Sequence, residues 1–313
     1  MLSHLTGDFQ AARDFSDRVL AIDPRNLSFL ARRMQIAYEV GEFSQGNHYL
    51  AQLLEVLHLV RPGLLENGFL DIVIPMACQI TGVTDRLDIA EEAAQAVLSS
   101  PSATPERVQW ARVGVALAAV QRGDAAAAKE QYAHLKSSPG RMSRAGTVTI
   151  ARVLGLLAQA KGHLDLAATH FEDALAFCRK SGYRPELAWT CYNYASLLRE
   201  RHQPNRAVAL LSEALAICIE LGMRPLMERV YSLRESIEAQ PPESPKYPAG
   251  LTERQVQVLR LIAKGKTNRE IAEELVLSEY TVQRHIASIY SKIGARNRAE
   301  ATAFTLSQLA LVI

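Results

Sequence analysis

Residues 251–298 read LTERQVQVLRLIAKGKTNREIAEELVLSEYTVQRHIASIYSKIGARNR, and three helix starts follow one another in them. Thr252 is followed three positions on by Gln255, and Thr267 by Glu270, while Ser278 opens a third helix. In each of the first two pairs a hydroxyl caps the helix and the longer side chain reaches back to the cap's own N–H. The connection Leu275-Val276-Leu277-Ser278 has the length of a turn between two steeply crossing helices. At about 100° per residue, Val282, Ile286, Ile289 and Ile293 form one stripe of the third helix, which must pack on Val258, Leu259, Ile262, Ile271 and Leu275. The opposite face holds Tyr280, Gln283, Arg284, Ala287 and Ser291 and no acid, with Lys266, Arg269, Lys292, Arg296 and Arg298 around it. Such a helix suits the major groove of DNA, where Gln and Arg can read base edges and surrounding cations neutralise phosphates.

The residues Leu251-Thr252, Val258-Leu259, Ala263-Lys264-Gly265, Asn268-Arg269-Glu270-Ile271-Ala272, Leu275, Ser278, Thr281-Val282-Gln283-Arg284-His285, Ile289 and Lys292-Ile293-Gly294 carry a resemblance. The segment resembles the LuxR-type helix-turn-helix family of bacterial transcription regulators, over about a fifth of the chain. It departs from that family's pattern at Gln283, where Lys is usual, and at Gln257, where Glu is common. Gln favours adenine where Lys favours guanine, so the first departure changes the expected operator.

The resemblance implies a four-helix DNA-binding module over 251–313 with double-stranded DNA as partner. Gln283, Arg284 and Ala287 are expected at base edges, and Lys266, Thr267, Arg269, Thr281, His285, Lys292 and Arg296 at phosphates. The family pairs through its fourth helix. Here that is the apolar end AEATAFTLSQLALVI, with Phe304, Leu309 and Leu311, so a homodimer contact at Ala301 and Phe304 is expected.

Composition agrees with a helical protein. Hydrophobic residues make up 48% of the 313 and aromatic ones only 6%, with Ala and Leu abundant, which favours an all-α chain large enough for two domains. The net charge is only +2, yet residues 251–313 hold nine Lys and Arg against six Glu, so attraction to polyanions is confined to that end. The cysteines Cys78, Cys178, Cys191 and Cys218 show no metal-ligand spacing and read as reduced core thiols; no metal or cofactor is expected. The start MLSHLTGDFQ has no apolar leader, and the apolar run 69–83 is short and broken by Asp71. A cytoplasmic protein without membrane contact is the expectation.

Before position 239 the chain repeats itself. GDFQAARDFSDRVLAIDP starts at Gly7, and Gly41-Glu42-Phe43 restarts it 34 residues later. Further units open at Leu87-Asp88, Gly123-Asp124, Gly162-His163 and Pro204-Asn205. The last two align over a 40-residue offset: Ala167 with Ala207, Phe171 with Leu211, Ala174 with Ala214, Gly182 with Gly222 and Pro185 with Pro225. This resembles the tetratricopeptide repeat, and about six units imply a right-handed helical solenoid over 1–238, with 63–82 as an irregular pair. The first unit lacks half of its first helix. Either a larger chain is its source or a partner covers its first layer; large ATP-binding LuxR-type regulators, related to the bacterial maltose regulator, place a nucleotide-binding module before such repeats. Gly265-Lys266-Thr267 is not a phosphate loop, because Arg260 stands where that loop needs Gly.

Residues 239–250, with Pro241, Pro242, Pro245 and Pro248, read as a stiff spacer between a sensor or interaction domain and the DNA-binding module. The first helices of the repeats place Trp110, Arg152, Trp189, Tyr192 and Arg199 along the concave surface as a candidate effector groove. No nucleophile–base pair stands out, so an enzyme is not expected. Three classes remain: a DNA-binding regulator that senses an effector or contacts RNA polymerase, a repeat scaffold with a structural C-terminal bundle, and a sigma-factor-like promoter reader. The first accounts for most of the residues above.

Overall fold

The computed structural model describes residues 2–59, 70–137, 148–239, 247–275 and 277–309. It divides into two compact units, Met1–Ala239 and Gln240–Ile313. No β-strand occurs among the described residues.

The first unit contains α1 (Leu2–Thr6), α2 (Phe9–Ile22), α3 (Leu27–Glu39), α4 (Phe43–Leu59), α5 (Leu70–Thr81), α6 (Leu87–Leu98) and α7 (Pro105–Arg122). It continues with α8 (Ala125–Leu135), α9 (Ile150–Ala160), α10 (Leu164–Ser181), α11 (Arg184–Glu200), α12 (Pro204–Leu221) and α13 (Arg224–Glu238). Each odd-numbered helix from α1 to α11 packs on the even-numbered helix after it, giving hairpins. Local chemistry sets the ends. Thr104 accepts a hydrogen bond from the N–H of Arg107 ahead of Pro105, and the Asp124 carboxylate accepts from Ala126 and Ala127. α10 and α12 stop at Gly182 and Gly222, whose φ of 67° and 68° a side chain would resist. Ala167, Ala174, Ala207 and Ala214, aligned by the repeat, are fully buried and let the hairpins close tightly.

The inner helices α3, α5, α7, α9 and α11 pack each on the next, α11 packs on α13, and α13 returns to α3 and α5 while α1 meets α11. The solenoid therefore closes on itself within this unit. At the seam the Nε of Arg224 donates to the carbonyl of Val40 (3.1 Å), and Nη2 of Arg229 donates to that of Ile80 (3.3 Å). These carbonyls lie at the C-terminal ends of α3 and α5, where cations are favoured. Gly7 leaves the space that Leu221 fills.

Between the inner helices, Glu39, Met76, Arg152 and Trp189 leave a void of only about 10 Å³, room for a single water molecule at most. Around Arg152 and Trp189 the surface expected to bind an effector is thus packed. Residues 63–69 of the expected irregular pair lie outside the described residues; from Leu70 on it is the single helix α5, which contains Pro75. α7 approaches α5 so closely that a Cβ on Gly114 would stand 1.8 Å from the carbonyl oxygen of Asp71. All four cysteines are buried and free. Among the described residues no helix is long and apolar enough to cross a membrane.

The second unit contains a 3-10 turn (Pro248–Gly250), α14 (Glu253–Ala263), α15 (Asn268–Leu275), α16 (Glu279–Ile293), α17 (Arg298–Phe304) and a final turn Thr305–Leu309. Val258, Leu259, Ile262, Ile271, Val282 and Ile289 form its core, with Leu275, Ile286 and Ile293 packed against it. Residues 240–246 of the expected spacer lie outside the described residues. Tyr247 packs against the module's core and the 3-10 turn packs on α16, so the end of that stretch is part of the module.

Candidate nucleic-acid interface

Capping positions the two helices of the turn. The Thr267 hydroxyl accepts from the N–H of Glu270 and donates to its carboxylate, which also accepts from the N–H of Thr267. These bonds hold the Glu270 carboxyl below its usual pKa. Ser278 accepts from the N–H of Thr281 to start α16, which ends at Gly294. Between them, Nη2 of Arg254 donates to the carbonyl of Leu275 (2.6 Å) at the end of α15, and Nη1 donates to Gln257 (2.8 Å).

Gln255 then ties α14 to α16. Its Oε1 accepts from the N–H of Thr252 and from Nζ of Lys292, and its Nε2 donates to the Ser288 hydroxyl at 2.9 Å. Arg298 donates to Asn268 and to the carbonyl of Lys266, fixing α17 against the α14–α15 loop. Both ties were unreadable as such in the sequence. Gln255 registers there only as a cap and Arg298 only as a surface cation.

With α16 so held, Val282 and Ile289 face the core, while Gln283, Arg284, Ala287 and Ser291 are exposed, and Tyr280 is 70% exposed. The side chains of Gln283, Arg284 and Ala287, expected at base edges, have no hydrogen bond or ion pair with the described residues. The cations expected at phosphates divide. Arg296 is exposed, Arg269 pairs with Glu273 (3.1 Å) one helical turn on, and Lys266 lies 3.5 Å from Glu274. Such exposed pairs are weak and exchange readily with phosphate. Thr281 shares a hydrogen bond with the Ser278 hydroxyl, and His285 is half-buried.

Three residues with expected roles on the ligand side already serve the module itself. Thr267 donates both its hydroxyl proton and its N–H to the Glu270 carboxylate, so in the free protein it serves as a cap. Lys292 donates to the carbonyl of Gly250 and to Gln255, each at 2.8 Å, so its ammonium first serves the bundle. Ala301 is fully buried in the module's own core and cannot be a dimer contact, while Phe304 is half-buried against the same core. Leu311 and the side chain of Leu309 lie outside the described residues.

Residues 249–305 match the family model for bacterial regulatory proteins of the luxR family, and residues 146–220 match the tetratricopeptide repeat. The spore germination protein GerE of Bacillus subtilis is 43% identical over 51 residues, 16% of this chain and 69% of that protein. The chain belongs to the luxR family of bacterial regulatory proteins. Other luxR-type relatives match through the same module. The transcriptional regulatory protein LiaR of Bacillus subtilis is 46% identical over 54 residues, 17% of this chain and 26% of LiaR. The fimbriae Z protein of Salmonella typhimurium is 48% identical over 50 residues, 16% of this chain and 24% of the relative. The chain thus spans about a quarter of the length of these two relatives. No solved structure matches the chain.

The five residues expected to line an effector groove in the repeats do not line a single groove: Arg152 and Trp189 border one small void, and Trp189 meets the ring of Tyr192. Arg152 is buried, with Nε on the Glu186 carboxylate at 2.9 Å and Nη1 on Asn193 at 3.2 Å. Trp110 is buried against Arg107, and Trp189 lies inside the ring. Tyr192 and Arg199 alone of the five line an open groove, at the seam.

Proposed function

We propose that this chain is a sequence-specific DNA-binding transcription regulator whose repeats sense an effector or a protein partner. The observation that carries it is the exposed face of α16, with Gln283, Arg284 and Ala287 aligned on a helix fixed at both ends and through Gln255. Gln and Arg there read base edges, Ala287 allows close approach, and Arg269, Lys266, Thr281, His285 and Arg296 neutralise or position phosphates. One small module contacts few base pairs, so two modules on half-sites about one helical turn apart give the needed specificity. With Ala301 buried, the surface left for pairing is the outer side of α17 and the following turn, where Leu306 is 68% exposed.

Selection of bound sequences from random duplex DNA tests the reading. It predicts a two-part site, loss of preference at one or two base pairs in Gln283→Ala, and half-site binding only in Leu306→Glu. Enrichment of no sequence at all would overturn it.

A further inference from the structure

The seam of the ring carries a groove of about 650 Å³ between the end of α5, α11 and α13. Tyr192, Ser196 and Arg199 project into it from α11, and Arg229, Ser232 and Ser236 from α13. The spacings place each trio on one helix face, so two stripes of hydroxyl and guanidinium groups line one groove. Phe43, 45% exposed, and Ile80 give it an apolar wall.

The two arginines there lack a paired acid among the described residues. Arg199 donates to the Ser236 hydroxyl (3.1 Å) and Arg229 to the Ile80 carbonyl (3.3 Å), both neutral acceptors, and neither arginine has an ion pair among the described residues. Elsewhere in this unit cross-helix arginines meet acids: Arg122 with Glu91, Arg179 with Glu213 and Arg201 with Asp165, each at 2.6 Å. The single acid lining the groove is Glu228, which leaves an excess of positive charge. Each guanidinium keeps further N–H donors in a planar fork suited to phosphate oxygens.

We infer that this groove binds a small phosphate monoester carrying hydroxyl groups, with the phosphate between Arg199 and Arg229, the serines on its oxygens and the ligand's carbon skeleton against Phe43. The volume is that of an ordinary metabolite site. The inference deepens the effector-sensing part of the proposed function and rests on it for its consequence. The groove's walls come from both ends of the repeat sequence, so an occupant holds the seam closed, and α13 is the last repeat helix before the DNA-binding module in the chain. A ligand of this kind acts on DNA binding only through its preference for one state of the seam.

The test uses the full chain and thermal unfolding with ribose 5-phosphate and AMP, against ribose and adenosine at equal concentration. At saturation either phosphate ester should raise the midpoint by about 2 °C or more, and the phosphate-free compounds should not. Arg199→Gln should weaken binding about tenfold or more, and Ser232→Glu, an acid placed at an exposed position, should abolish it while the ligand-free midpoint stays within about a degree. No shift with either ester, or an equal shift in both variants, would overturn the site. Operator affinity is measured in parallel. Arg199-dependent binding that leaves operator affinity unchanged upholds the site and removes its sensing role; absence of any operator binding removes the regulator reading while the thermal result still decides the groove.

Discussion

Arg224 donates its Nε hydrogen to the carbonyl of Val40, 184 positions earlier in the chain, at 3.1 Å. That bond, with its neighbour from Arg229 to Ile80, ends a row of repeats by joining its last helix to its second and third hairpins. A repeat array with free ends unfolds from those ends, whereas a closed one must first break the seam. Arg224→Met is expected to cost about 1 kcal/mol, as for one partly exposed hydrogen bond to a charged group. Hydrogen exchange should then speed up in α13 and in the ends of α3 and α5 together. Faster exchange in α13 alone would mean that the contact does not couple the two ends.

The ring's axis holds a second test. Arg152 and Glu186 are both almost wholly buried, 2.9 Å apart, and Glu186 also accepts from the N–H and hydroxyl of Thr149. Removing one charge leaves the other buried and unpaired, so Arg152→Met should cost about 3–5 kcal/mol in urea unfolding. Adding Glu186→Gln to it should recover most of that loss, because the amide oxygen still accepts from Thr149 and no charge remains. Additive losses in the double variant would contradict this account.

The DNA-binding module was legible because its signals are local. Thr252 and Gln255, or Ser278 and its helix, lie within one turn of each other, and the stripe Val282, Ile286, Ile289, Ile293 needs only the period of a helix. The hairpins were legible for the same reason, through Gly182 and Gly222 and the paired alanines. Closure was not. Spacing places Arg152 and Trp189 on the inner side of their helices, but whether that side faces solvent depends on α13 meeting α3, a contact with no local trace. The same limit hid the burial of Ala301 and the tie from Lys292 to Gln255.

Asp71 gives the unit a pH dependence. Burial in the first turn of α5 raises its carboxyl pKa from 3.8 to about 7, against the opposing pull of Arg107. Below the unfolded value the group is neutral in both states and nothing is lost. As pH rises from about 4 to about 7 the unfolded chain gives up this proton while the folded one keeps it, so stability falls, and above about 7 the loss is constant. Asp71→Asn should therefore stabilise the protein at pH 8, by at most on the order of 4 kcal/mol, and by much less at pH 4.5. An equal gain at both pH values would show that folding does not shift the Asp71 carboxyl at all, and that the asparagine acts through packing or polarity alone.

Gly114 tests the packing around that carboxyl. A methyl group there would stand 1.8 Å from the backbone oxygen of Asp71, and a backbone atom cannot swing aside as a long side chain can. Gly114→Ala, normally a gain within a helix, should here cost about 1–3 kcal/mol or more by forcing α5 and α7 apart. Gly123→Ala supplies the contrast: nothing lies near its Cβ position, and only its left-handed backbone, φ 68°, opposes the change. A stabilised Gly114→Ala variant would mean that the two helices are not in contact at this point.

The α16 face can be separated into reading, positioning and support. Gln283→Ala and Arg284→Ala should each cost about 1–3 kcal/mol on the selected site and little on unrelated DNA, because a lost base contact matters only where the base is right. Arg269→Ala should instead weaken all sequences alike and reduce the steepness of the salt dependence by about one phosphate's worth, since its pair with Glu273 is exposed and yields to phosphate. Lys292→Met should differ from both. Its ammonium bridges Gly250 and Gln255, so the variant should lower the thermal midpoint of the module before DNA is added, and its loss of affinity should follow that loss of structure. If Lys292→Met kept the midpoint and lost only salt-dependent affinity, Lys292 would be a phosphate contact after all, and the bridge to Gln255 would be what it gives up on binding.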